Sequence, residues 1–302
     1  PVRLVGWTPY SVYGRKPVSM PVALVLGGRG LLGRPLMQQL AGSGWEAQTL
    51  DPEDCNLLNP GELQPRIESL HPDIIFNTVS WNTEDPAEKQ PQEALSVNRG
   101  LPAFLGGLVK GTPTALVHYS SDQVFNGRKE SPYTEEDKTD PVSLCGKTRL
   151  AGEQALLELN ADNICIIRTG WLFGHDGDNF LKRLLTRAQT EETVEVIHDQ
   201  IGSPTYVNDL AQATLQLVKR GASGLYHVAN TGQASWCELA AEAVRQASLA
   251  CTVRAIASPD KSLRPSNEVL SSAKYAAFTG NAMRPWSQAL REYIYSVLIA
   301  SK

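Results

Sequence analysis

The sequence predicts an α/β fold: a doubly wound parallel sheet followed by a smaller C-terminal subdomain. Three observations carry that reading. Short apolar runs alternate with stretches whose apolar residues recur at helical spacing, the first run leads directly into a cluster of glycines, and the rhythm loosens after residue 170. Strands separated by helical crossovers pair in parallel as right-handed βαβ units.

Val22-Ala-Leu-Val-Leu26 has the unbroken apolar character of a strand buried on both faces. Leu32, Leu36, Met37 and Leu40 then fall on one helical face, closed by Gly42 and Gly44. A strand at 46–50 precedes a helix marked by Leu63, Ile67 and Leu70. The alternation continues with a strand at 73–79, a helix at 94–109, a strand at 114–120, a helix at 143–159 and a strand at 163–169. Strand-like 193–197 and 225–229 could extend the sheet, and helices at 236–247 and 286–298 would build the cap. The expected division is therefore an extension at 1–19, a main unit at 20–170 completed by parts of 193–229, and a subdomain at 171–302. The extension carries Arg3, Arg15 and Lys16 with no acid, and it lacks the apolar core and cleavage site of a signal peptide. It reads as an upstream addition or as an arm that docks on the domain or a partner.

Composition narrows the function. The 302 residues are 42% apolar and 20% charged, as in an ordinary globular protein. Lys plus Arg number 28 against 32 Asp plus Glu, a net charge of −4, so there is no general field for nucleic acid. No apolar run approaches the roughly 20 residues that span a bilayer. The five cysteines (Cys55, Cys145, Cys165, Cys237 and Cys251) are odd in number and lack C-x-x-C spacing, which argues against a disulfide framework or a metal site and fits a reducing cytoplasm.

The glycine cluster is more specific. Gly27-Gly28-Arg29-Gly30-Leu31-Leu32-Gly33 places G-x-x-G-x-x-G between the first strand and the first helix, a Rossmann-type setting for a dinucleotide. Gly27 permits the tight turn, Gly30 lets the backbone approach a pyrophosphate, and Gly33 lets the helix pack on its strand. The amides at Leu31 and Leu32 open the helix toward the anion. A plain structural turn is the alternative. Asp51, about 20 residues on, could accept from a ribose 2′-OH, whereas Arg29 could pair with a 2′-phosphate, so NAD and NADP both stay open. Asp54 would flank the adenine or stand as a solvated loop acid.

Later motifs coincide in order with one family. They are Val117-His-Tyr-Ser-Ser-Asp-Gln-Val-Phe125 with Asn126-Gly127, Pro132-Tyr-Thr-Glu-Glu-Asp137, Gly146-Lys-Thr-Arg-Leu-Ala-Gly-Glu153 and Arg168-Thr-Gly-Trp171. Asp199-Gln-Ile-Gly-Ser-Pro-Thr205, Gly224-Leu-Tyr-His-Val228, Ser235-Trp236 and Leu263-Arg-Pro265 follow. From Met20 almost to the C-terminus the chain resembles the dTDP-4-dehydrorhamnose reductases, extended short-chain dehydrogenases that reduce a 4-keto sugar with NAD(P)H. The resemblance implies a catalytic Ser/Thr, Tyr and Lys. Ser121 matches the hydroxyl, but the Tyr position holds Cys145 and the Lys position Arg149. A thiol is no weaker an acid than a phenol, yet its side chain is shorter and leaves room for water. Arg149 keeps the charge but does not shuttle protons. Cys145 reads as a substitute acid, as a neighbour of a catalytic water, or as a small buried thiol in a site that has lost its chemistry. Tyr133, and less readily Tyr119, could reach in as a replacement donor.

The resemblance also implies that Val79, Ser80, Asn98, Thr169 and Gly170 line the coenzyme, with Arg149 at its ribose. Gln123, Trp171, Asn179, Gln200, Pro204, Trp236 and Arg264 would face the nucleotide sugar. Trp81, Gln123 and Glu268 depart from the family's usual residues. The partners implied are a nucleotide-sugar substrate and, as oligomer, a homodimer; nucleic acid and membrane are not expected. Two functions follow: an NAD(P)H-dependent keto-sugar reductase with altered acid chemistry, or a non-catalytic relative that binds the same ligands and regulates a partner.

Overall fold

The computed structural model describes residues 20–81, 90–259 and 264–300; the extension at 1–19 and Leu263 of the last motif lie outside the described residues. The first two βα steps follow the expected order: β1 (Val22–Leu26), α1 (Gly33–Ala41), β2 (Glu46–Leu50) and α2 (Pro60–Leu70). After β3 (Ile74–Asn77) comes a helix in two pieces, α3 (Pro91–Leu95) and α4 (Leu101–Val109), joined by a wider π turn at Ser96–Gly100. Pro102 accounts for the widening. It has no N–H for the carbonyl of Asn98, four residues back, and Leu101 N–H reaches Ser96 instead. Next come β4 (Ala115–Ser121), α5 (Leu144–Leu157) and β5 (Ile164–Thr169).

These strands form one sheet in the order β10-β5-β4-β3-β1-β2, where β10 is Gly224–His227, and every pairing is parallel. The chain leaves β1 first to one side and then, after β2, to the other, so the crevice between β1 and β3 is the switch point where such sheets bind ligands. Alternate side chains divide between two cores. Ala23, Val25, Phe76, Val117, Tyr119 and Ile167 pack with α1 residues Leu36 and Leu40, whereas Leu24, Leu26, Ile75, Leu116 and Ile166 pack with Leu63, Leu105 and Leu156. That two-sided burial is why the strands read as unbroken apolar runs.

Segment 193–197 does not extend this sheet. As β7 (Thr193–Ile197) it pairs in parallel with β12 (Thr252–Ile256), far along the chain. Two further pairs are only two residues long, β6 (Leu172–Phe173) with β9 (Thr205–Tyr206) and β8 (Ile201–Gly202) with β11 (Ala234–Ser235). Around them stand α6 (Phe180–Ala188), α7 (Val207–Lys219), α8 (Trp236–Gln246), α9 (Ala273–Thr279) and α10 (Trp286–Ala300). Among the described residues, no helix is long and apolar enough to cross a membrane.

Candidate active site

The carboxyl ends of β1 to β5 deliver the candidate residues to one edge of the sheet. After Leu26 the chain turns through Gly27 at φ +82°, and a Cβ on Gly33 would lie 2.0 Å from Gly27 O, so α1 begins hard against the turn. Gly28 N–H donates to Thr49 Oγ1 at 3.1 Å and Arg29 N–H to Asp51 Oδ1 at 3.1 Å. The outer side stays open, since a Cβ on Gly30 would meet only Gly27 O, at 3.2 Å. Leu32 at the N-cap of α1 makes no side-chain cap, and the first turn carries no acid, which leaves the positive end of the helix for an anion. Leu31 packs beneath Gly174 and Gly177, and Val79 stands beside Gly27. A dinucleotide fits this cradle.

The acids behave differently from one another. Asp51 is buried, accepts from Thr49 Oγ1 at 2.7 Å as well as from Arg29 N–H, and so pins the loop. Arg29 is drawn to Asp51, Glu53 and Asp54 at 3.8, 3.1 and 3.3 Å. Asp54 also accepts from Asp51 N–H, which more than anything else holds its carboxyl below the ordinary value.

Past β3, Trp81 reaches the π turn. Asn98 Oδ1 accepts from Trp81 N–H at 2.8 Å, and its Nδ2 donates to Thr148 Oγ1 at 3.0 Å on α5. Asn98 thus ties the loop after β3 to the helix that carries Cys145 and Arg149. Cys145 is buried against Ala94 and the Trp81 ring, and its thiol donates to Trp81 O at 3.4 Å.

Ser121 ends β4. Its hydroxyl donates to Asp122 Oδ1 at 2.7 Å and accepts from Gln123 N–H at 3.2 Å. Asp122 is 2% exposed, and its Oδ2 is buried without a hydrogen-bond partner. Gly170 makes room for it, because a Cβ there would fall 1.7 Å from Oδ2. Burial pushes this carboxyl up to about 6, against the opposing pull of the Ser121 hydrogen bond, Arg264 and Arg149. Thr169, in register with Ser121 on the neighbouring strand, also has a buried Oγ1 without a hydrogen-bond partner, an orphan hydroxyl at a position expected to meet the coenzyme. Arg149 is buried on α5 and faces His118 as well as Asp122. Burial, assisted by Arg149, lowers His118 to about 3, so that imidazole is neutral against Asn77.

Neither tyrosine reaches in as a replacement donor. Tyr119 is buried and gives its hydroxyl hydrogen to Thr214 Oγ1 at 2.9 Å. Tyr133 stacks on Phe125 with ring centroids 4.1 Å apart and donates to Asn126 Oδ1 at 3.2 Å.

Among the residues expected to face the sugar nucleotide, Trp171 and Trp236 stack at 3.6 Å, and the Arg264 guanidinium lies 5.5 Å from the Trp236 ring centre. Trp171 Nε1–H donates to buried Glu268 at 2.9 Å, and Arg264 stands 3.7 Å from the same carboxylate oxygen. Gln200 and Pro204 are buried nearby in sequence, with Gln200 donating to Ser258 Oγ at 3.3 Å. Asn179 is occupied structurally: it caps α6 through Lys182 N–H and donates to Gly174 O. Gln123 is buried with its carbonyl against Gly146. Sequence reasoning passed over Asp122, although it adjoins Ser121 in a quoted motif; an acid following a candidate hydroxyl was the available signal.

The match to known proteins follows the same span. The family model described as the RmlD substrate binding domain matches residues 21–299. The chain belongs to this family. It is 36% identical over 281 residues to the spore coat polysaccharide biosynthesis protein SpsK of Bacillus subtilis (strain 168), covering 91% of this chain and 97% of that one. It is 32% identical to a dTDP-4-dehydrorhamnose reductase of Streptomyces griseus, over 91% and 94% of the two chains. Among solved structures, a dTDP-4-dehydrorhamnose reductase from Bacillus anthracis in complex with NADP superposes with a TM-score of 0.88 at 28% identity, covering 92% of this RmlD-family chain and 99% of the other.

Proposed function

We propose that this RmlD-family chain is an NAD(P)H-dependent reductase of a nucleotide-linked 4-keto-6-deoxy sugar. The observation that carries the reading is the open glycine cradle on the same sheet edge as the Ser121 hydroxyl, in a chain similar along its length to dTDP-sugar reductases. Residues 20–170 together with β10 would hold the coenzyme, and most of 171–302 the sugar nucleotide.

The bound coenzyme would supply the hydride. Gly27, Gly30, Leu31, Leu32 and Gly33 would hold its diphosphate, while Val79, Ser80, Asn98, Thr169 and Gly170 line its path and Arg149 meets ribose hydroxyls. Ser121 orients the ketone oxygen by hydrogen bonding. Arg264, with Trp236 beneath it, pairs with the sugar's diphosphate, and Trp171, Gln123, Gln200 and Pro204 shape the pocket. A cytoplasmic homodimer is the state proposed with this activity.

Purified protein mixed with a dTDP-4-keto-6-deoxyhexose and NADPH or NADH should consume absorbance at 340 nm. No turnover above buffer with either coenzyme, together with ligand binding and capture of a partner from cell extract, would instead support a regulatory relative.

A further inference from the structure

Reduction of a ketone needs a proton as well as a hydride, and the described side chains expected to give it are engaged elsewhere. The Cys145 thiol points to Trp81 O, and the hydroxyls of Tyr119 and Tyr133 are committed to Thr214 and Asn126. We propose that Asp122 holds that proton and delivers it through the Ser121 hydroxyl to the sugar oxygen.

The inference rests on the reductase reading and deepens it. Asp122 Oδ1 is 2.7 Å from Ser121 Oγ, a distance at which a proton passes in either direction along the hydrogen bond. The other oxygen, Oδ2, is buried against the Gly170 backbone with no donor. A carboxylate left with an unsatisfied oxygen away from water is costly, so the neutral acid is favoured. The groups facing it are Ser121 at the end of β4, the Gln123 backbone amide, Arg149 on α5, Gly170 just after β5, and Arg264 with its counter-charge Glu268. Both arginines stabilise the carboxylate formed once the proton has left, yet burial outweighs them and the carboxyl sits at about 6.

The step balances. As hydride reaches the keto carbon, the C=O π pair takes the Ser121 hydroxyl proton, and Ser121 recovers one from Asp122. Asp122 ends as a carboxylate and regains a proton from solvent, while the coenzyme leaves oxidised.

Asp122→Asn keeps the shape and removes the exchangeable proton. The wild type should lose kcat/KM as pH rises above about 6. D122N should fall by about a hundredfold, as for loss of a general acid, and lose that pH limb, with NADPH affinity unchanged. Infrared titration of the NADP-loaded protein adds a readout independent of turnover: a carboxylic-acid carbonyl band should vanish as pH rises through about 6 in the wild type, persist in Ser121→Ala and be missing from D122N. Turnover in D122N within threefold of wild type, or a carboxyl already ionised at pH 5, overturns the inference alone. No turnover in the wild type with either coenzyme removes the reductase reading and the inference together.

Discussion

Cys145 matters first for the space it leaves. It is buried in a small cluster with Ala94, against which Trp81 packs. Rebuilding the family's phenol here would put a six-membered ring and a hydroxyl where a single buried sulfur now sits. Cys145→Tyr should therefore destabilise the protein by about 1–3 kcal/mol in urea unfolding, the usual cost of overpacking. Adding Trp81→Ala should recover much of that loss, giving a non-additive pair. Asp122 makes a separate prediction. Its folded pKa lies above the ordinary 3.8, so its contribution to stability is fully present below about pH 4 and is lost as pH rises through about 6. Unfolding free energy measured across that window should decline in the wild type and flatten in D122N. In the proposed binding mode Arg29 would meet the coenzyme's 2′ position. Its guanidinium already faces Glu53 and Asp54, so a 2′-phosphate must compete with both. Glu53→Gln with Asp54→Asn should raise the kcat/KM ratio of NADPH to NADH several-fold.

At the scale of elements, the start of α1 is the most constrained feature. A methyl on Gly33 would strike the Gly27 carbonyl, so Gly33→Ala should weaken coenzyme binding tenfold or more in calorimetry while the sheet survives. The strand–glycine–helix unit was legible because its pattern and its chemistry lie within a few consecutive residues. Other elements were not called although their signals were present. In α6, Leu181, Leu184, Leu185 and Ala188 recur at helical spacing behind the Asn179 cap. The π turn was hidden because only Pro102 marks it, inside an otherwise continuous helical pattern. The pairing of β7 with β12 was hidden for a different reason: periodicity identifies a strand but not a partner more than fifty residues away. Two-residue strands have no period to read.

For the whole molecule, the site depends on a buried brace behind it. Arg168 on β5 donates to both oxygens of Glu153 on α5, at 2.9 and 2.6 Å, and Ser120 on β4 donates to the same carboxylate. Cys145, Arg149 and Glu153 are spaced four apart on α5, so this brace sets how the helix lies against the ends of β4 and β5. Glu153→Gln leaves Arg168 as an unpaired buried charge and should cost about 3–5 kcal/mol of stability. Ser121, Arg149, Thr169 and Gly170 were placed in one site by the family resemblance, whose motifs lie in short consecutive stretches of sequence. Sequence reasoning did not find Asp122, whose character comes from burial against Gly170 and from arginines on distant segments.

As proposed, this chain moves hydride from coenzyme to a nucleotide-linked keto carbon. The most direct test is a reaction with NADPH deuterated at the transferable position, followed by mass and NMR analysis of the sugar nucleotide. One deuterium is expected on the carbon that bore the ketone. Sugar recovered unreduced, with the coenzyme bound but unconsumed, would contradict the proposal.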